Sequence, residues 1–223
     1  MKKLFCAPLI FLAGLLWAGD TAVFVDLGFS RDGRTYLFGQ YGVQTGSLKP
    51  WAELALVDVA SNSFVPGGRV SYVHDSAVQA GQDGSGALYH IISRNTPLTD
   101  RHGISFLLQG QPLYVALENG SGGDTFEFRD FERNASFRAS LVASYDASGS
   151  SFYITLERTG SDGSKRAYTA GSGNIKRAGI SSYRVRRVIA SPRDGSLVFV
   201  IEMKKLNADG STDIRYMVET LKL

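Results

Sequence analysis

Few residues of this chain could do chemistry, and their spacing yields little of it. There are three histidines, His74, His90 and His102. His74 stands in Tyr72-Val73-His74-Asp75-Ser76, which holds the residue types of a hydrolytic triad. Neighbours on a strand point to opposite faces, so these cannot relay a proton to one another. His90 falls in a helical pattern and reads as a partly exposed polar position. No histidine pair has zinc spacing, and the single cysteine, Cys6, lies in the N-terminal apolar run. No metal and no cofactor is therefore expected. Gly81-Gln82-Asp83-Gly84-Ser85-Gly86 precedes the helical pattern as a phosphate loop would. It lacks the Gly-Lys-Ser/Thr ending and reads as a flexible connection. Asn207 to Asp213 matches a calcium loop in composition only, because Gly210 is misplaced and no bidentate Glu follows, so it reads as a hairpin turn.

Charge is more informative. Between 165 and 187 stand Lys165, Arg166, Lys176, Arg177, Arg184, Arg186 and Arg187, with no acidic residue among them. Arg184 and Arg186 share a parity on a strand and would emerge on one face. Lys176, Arg177, Arg184 and Arg186 are thus the candidate anion-binding group. Its partner would be a glycan, an anionic lipid head group or an acidic envelope protein. The plain alternative is solvation, or neutralisation by Glu118, Asp124, Glu127, Asp130 and Glu132. Tyr168 and Tyr183 suit sugar stacking and a strand core equally well. No catalytic residue is assigned.

These groups need a scaffold and a compartment. Lys2 and Lys3 followed by the uncharged run Leu4 to Trp17, closed by Ala18, read as a signal peptide over 1–18 with cleavage after Ala18. A spanning helix needs roughly 20 apolar residues, and Gly19-Asp20-Thr21 ends the run early. Cleavage removes the one cysteine, so the mature chain holds together without disulfides. It also removes two lysines, leaving 22 basic against 21 acidic residues, a net of about +1. Such a balance, with secretion, argues against nucleic acid as a partner. The expected location is periplasmic or extracellular, and no transmembrane segment is expected in the mature chain.

The 223 residues suit one all-β domain over 19–223. Three Ser/Asp-Gly turns, at Ser30 to Gly33, Ser144 to Gly149 and Ser191 to Gly195, each lead into an apolar run. Second turns follow 13, 14 and 15 residues later, at Gly46, Gly163 and Gly210. Each unit is therefore a strand, a hairpin and a returning strand. The last two begin 46 residues apart, a period found in propeller arrays. Trp51 to Val59 is apolar on both parities except at Glu53 and Asp58, as in a strand covered on both faces. A helical insert is expected near 83–103, from Ala87, Leu88, Ile91 and Ile92 at helical spacing. There Thr96-Pro97 reads as a cap and Gly103 as a stop. Strands resume at Ile104 to Leu108 and Leu113 to Leu117.

Phe29-Ser30-Arg31-Asp32-Gly33 and Ser191-Pro192-Arg193-Asp194-Gly195 resemble the Ser-Pro-Asp-Gly signature of TolB-type propellers. Asp58 with Asn62, and Asp130 with Asn134, resemble the outer strand and turn of propeller repeats. The opening Val25 to Gly42, the signal peptide, the helical insert and Phe128-Arg129-Asp130-Phe131-Glu132 resemble a family of predicted secreted bacterial proteins of unknown function. That resemblance implies secretion and no activity.

The reading is an all-β, propeller-like set of antiparallel hairpins with a small helical insert, a β-sandwich being the alternative. The expected function is a non-catalytic binding protein. The alternative is a hydrolase of glycans or phosphoesters, whose paired carboxylates only the fold would bring together. Asn119 and Asn134 each open an Asn-x-Ser triplet.

Overall fold

The computed structural model describes residues 18–117 and 124–223. The signal-peptide reading, with Cys6, and the Asn119 triplet lie outside them, Ala18 apart. Among the described residues, thirteen strands and two helices follow in chain order. Sheet I is the meander β2 (Val23–Phe29), β3 (Thr35–Val43), β4 (Pro50–Asp58) and β5 (Ser63–Val73). Helices α1 (Ser85–Arg94) and α2 (Thr96–Arg101) come next. Sheet III is the meander β7 (Thr125–Asp130), β8 (Ala135–Asp146), β9 (Gly149–Thr159) and β10 (Lys165–Arg177). Sheet II gathers distant pieces in the order β1 (Ala18–Thr21), β13 (Thr212–Leu221), β12 (Leu197–Leu206), β11 (Ile180–Ala190) and β6 (Gln111–Val115). All these pairings are antiparallel except β1 on β13.

The expected turns form. Gly33, Gly163, Gly195 and Gly210 have φ of 73°, 79°, 76° and 83°, a region open to glycine at little steric cost. In the turns at 83, 146, 162 and 209 the aspartate carboxylate accepts both the N–H and the hydroxyl of the serine two residues on. Asn62 and Asn134, the paired asparagines, both take positive φ, 52° and 45°.

Alternation on β12 builds the stack. Leu197, Phe199 and Ile201 enter a core shared with Phe152, Ile154 and Leu156 of sheet III. Val198 and Val200 enter a second core, with Tyr36, Phe38 and Val57 of sheet I. Sheet II is therefore covered on both faces. The far face of sheet I, through Leu37, Leu54 and Leu56, packs against Ala87, Leu88 and Ile91 of α1. Burying Leu88 and Ile91 contributes about 1.5–3 kcal/mol each.

This stack corrects the propeller reading, because a closed propeller is not what these sheets make. Closure needs each sheet covered on both faces by the next. Here α1 ends the stack on one side, and the far face of sheet III is polar on the other. The repeats are also out of phase: Asp58/Asn62 closes the third hairpin of sheet I, whereas Asp130/Asn134 closes the first of sheet III. The strand expected at Ile104 to Leu108 is absent apart from one bridge, Ser30 to Ile104. Instead this segment hugs the bulge at Gly28, where a Cβ would stand 2.4 Å from the Ser105 carbonyl oxygen. The α2 cap is Asn95, one residue before the expected Thr96.

Candidate functional site

Two glycines, Gly39 on β3 and Gly84 just ahead of α1, decide where α1 sits. A Cβ on Gly39 would meet Leu88 Cδ1 at 2.6 Å, and one on Gly84 would meet the Gly42 carbonyl oxygen at 2.3 Å. Bare backbone at 39 and 84 thus lets the helix and its leading loop lie directly on the strand. The chain reaches that point from β5 along 74–78, where the His74 and Val78 N–H groups donate to the Pro50 and Leu48 carbonyls, 2.8 Å each.

The result is a cleft of about 740 Å³ between the end of β5, the 74–83 loop and α1. Tyr72, His74, Gln82, Asp83 and His90 line it, with Pro50, Val78 and Ala87 as apolar wall. The His90 ring stacks on Tyr72 at 4.5 Å, and His74 meets Tyr72 edge-on at 6.2 Å. His74 Nδ1 accepts the Ser76 N–H at 3.0 Å. The Ser85 hydroxyl, donating to Asp83, holds that carboxyl below its usual range. Burial, then Asp83 and Tyr89, push the Tyr41 hydroxyl up. A volume of this size lies within the roughly 300–1,000 Å³ of ligand pockets, which are mostly apolar with a few placed polar groups. Two imidazoles and a phenol ring offer stacking surface and hydrogen bonds. A single carboxylate among the lining residues, Asp83, offers no acid pair.

A smaller cavity of about 210 Å³ lies at the seam of sheets II and III, lined by Asp124, Arg184, Glu202 and Lys204 with Tyr114 and Tyr183. Its Glu202 is engaged by Arg186 at 3.4 Å and by the Tyr216 hydroxyl at 3.4 Å.

The four candidate anion-binding residues do not form one group. Arg184 stands opposite Glu202 in register and donates to the Leu117 carbonyl at 2.7 Å, and Arg186 pairs with Glu202. Lys176 pairs with Asp146, while Arg177 lies over Phe152 and reaches the buried Glu219 at 3.5 Å. The carboxylate partners of Lys176, Arg177 and Arg186, namely Asp146, Glu219 and Glu202, fall outside 118–132, the acidic stretch expected to neutralise them. Tyr183 is a core residue whose hydroxyl meets Ser150 Oγ at 2.7 Å. Among the described residues, no group of three or more His, Cys, Asp and Glu could hold a metal ion.

The cleft is not legible from its parts taken singly. His74, the 81–86 glycines and His90 each read as inert, yet the packing of α1 on β3 and β4 brings them to one place. The available signal is Gly39 inside an otherwise strong strand.

A family model described as a predicted secreted protein, DUF2259, matches residues 37–222. The chain belongs to that family. No curated protein and no solved structure matches it, and the TolB-type likeness of the turns finds no support beside the DUF2259 match. In this DUF2259 chain the match spans nearly all of the three sheets, both helices and the cleft. No helix among the described residues is long and apolar enough to cross a membrane.

Proposed function

We propose that this secreted-family protein is a non-catalytic binding protein, exported by the 1–18 signal peptide to the periplasm or beyond, and that the cleft at Tyr72, His74 and His90 is its ligand pocket. One observation carries the reading: the end of β5, the glycine loop and the α1 face, which follow one another along the chain, fold back with Pro50 around one cavity of ligand size. The stacked Tyr72–His90 pair suits a small ring-bearing ligand, and Gln82, Ser76 and Asp83 suit its polar rim.

The hydrolase alternative would use the seam cavity, which Asp124 and Glu202 both line. Its volume falls below the usual range for ligand sites, and Glu202 is already committed to Arg186 and Tyr216. Both points favour binding over hydrolysis.

The test is purification of the mature protein from its native envelope, followed by mass spectrometry of released small molecules, beside Tyr72→Ala and His90→Ala variants. A compound present with the native chain and absent with both variants supports the pocket. The same compounds with all three proteins contradict it.

A further inference from the structure

Among the described residues no element covers the far face of sheet III, and the register orders its side chains into rows. Thr125 lies opposite Ser140, Ser140 opposite Thr155, and Thr155 opposite Thr169, so one row carries a hydroxyl on each of four strands. Two residues along, Glu127, Arg138 and Glu157 form a charged row. Neighbouring strands are about 4.8 Å apart, so each row offers hydrogen-bonding groups at a regular step.

Two adjoining grooves of about 620 and 610 Å³ run over this face and share Arg138, Glu157 and Lys165. An aromatic ring stands toward either end. Phe131 is 79% exposed and carries the Arg129 guanidinium on its ring at 5.2 Å. Tyr153, two residues before Thr155, leans on Gly173, where a Cβ would touch its ring at 3.5 Å. From Tyr153 to Thr159, the residue of β9 level with Arg129, is six steps along β9, or about 20 Å.

We propose that this face binds a linear glycan, its sugar rings stacking on Phe131 and Tyr153 and its hydroxyls meeting the rows between. The chemistry of the face selects that occupant. Charges are largely paired in place, Arg138 with Glu127 at 3.9 Å and Lys165 with Glu157 at 2.9 Å, so the field suits a polyol better than an anionic membrane. A protein interface wants an apolar, charge-depleted centre, whereas the centre here is the Glu127–Arg138–Glu157 row. Hydroxyls and paired charges flanked by the exposed Phe131 ring and the half-buried Tyr153 ring are complementary to a sugar chain. The surface is separate from the cleft, and this proposal stands whether or not the cleft reading does.

The experiment is co-sedimentation of the mature protein with cellulose, chitin and purified peptidoglycan sacculi, with phosphatidylglycerol vesicles as the counter-arm. Binding is expected to at least one glycan and not to vesicles. Phe131→Ala and Tyr153→Ala are each expected to weaken it about tenfold, the upper end for one aromatic contact. Tyr72→Ala, in the cleft, is expected to leave it unchanged. Should Tyr153→Ala lower the melting temperature, the solvent-exposed Phe131→Ala and the near-isosteric Thr155→Val decide the matter. Binding to none of the three glycans, binding to vesicles instead, or glycan binding indifferent to Phe131→Ala would overturn the proposal.

Discussion

The imidazole of His90 on α1 lies over the phenol ring of Tyr72 on β5, with centroids 4.5 Å apart and planes 28° from parallel. Eighteen positions separate the two residues, and what joins them is the seat of α1 on β3 and β4. That seat has a direct test. Gly84→Ala places a methyl group 2.3 Å from the Gly42 carbonyl oxygen, and backbone cannot swing aside as a side chain does. A loss of about 1–3 kcal/mol is expected, with new proteolytic cuts in the 75–84 loop. Chemical denaturation and limited proteolysis measure both, and wild-type values would show that the loop does not lie on β3.

Glu219 binds three sheets together. Its carboxylate, 4% exposed on β13, accepts from the Asn62 amide of sheet I and faces Arg177 of sheet III at 3.5 Å. Glu219→Ala would leave the Asn62 amide and the half-buried Arg177 without this partner. Breaking a buried pair in this way costs about 3–5 kcal/mol, and the lower end applies because Arg177 keeps Phe152. Urea denaturation with an unchanged slope is the expected readout. A loss under about 1 kcal/mol would mean the junction is solvated.

Acid stability follows from the turns. The serine hydroxyls at 85, 164 and 211 hold Asp83, Asp162 and Asp209 below the usual carboxylate range, and Lys176 first, then Ser148, holds Asp146 down to about 2. A folded-state pKa below the unfolded one gives stability that is present above the unfolded value, about 3.9, and lost as pH falls through the folded one. Burial acts oppositely on Asp26 and Glu219, whose raised pKa adds stability as pH falls. The lowered carboxylates outnumber the raised ones, so the melting temperature is expected to hold from pH 7 to about 5 and to fall between about 4 and 2. A melting temperature that rises below pH 4 would show that the two buried carboxylates dominate.

The inter-sheet contact of Arg133 gives a further expectation. From the β7–β8 turn its guanidinium pairs with Asp130 at 3.1 Å and donates to the Ser191 carbonyl of the β11–β12 turn at 3.2 Å. Arg133→Ala leaves the 2%-exposed Asp130 carboxylate short of its cation and is expected to cost about 2 kcal/mol. Arg133→Lys should recover only part, since one ammonium cannot span both acceptors. Full recovery by lysine would mean the carbonyl contact contributes nothing.

Local physics explains what the residues reveal unaided. Asp-x-Ser and Asp-Gly pairs bond within three positions, so the turns at 33, 163, 195 and 210 are readable, as is the helical spacing of Ala87, Leu88 and Ile91. Stacking order is different. Val198 and Phe199 are equally apolar, and only long-range packing sends one toward sheet I and the other toward sheet III. Ile104 to Leu108 has strand composition, but its Ser105 N–H donates to the Phe29 carbonyl and its Leu108 carbonyl accepts the Phe29 N–H, which folds the segment over Gly28. The cleft is hidden for the same reason: His74 and His90 gain meaning only when Gly39 and Gly84 admit the helix.

Whether Tyr72, His74 and His90 form the ligand pocket is decided by NMR of the mature protein labelled at histidine, titrated with a panel of sugars, nucleosides and aromatic amines. At least one compound is expected to shift the His74 and His90 ring signals together while leaving His102 in place, with the response lost in Tyr72→Ala. Shifts at His102 alone, or paired shifts that survive Tyr72→Ala, would contradict the pocket.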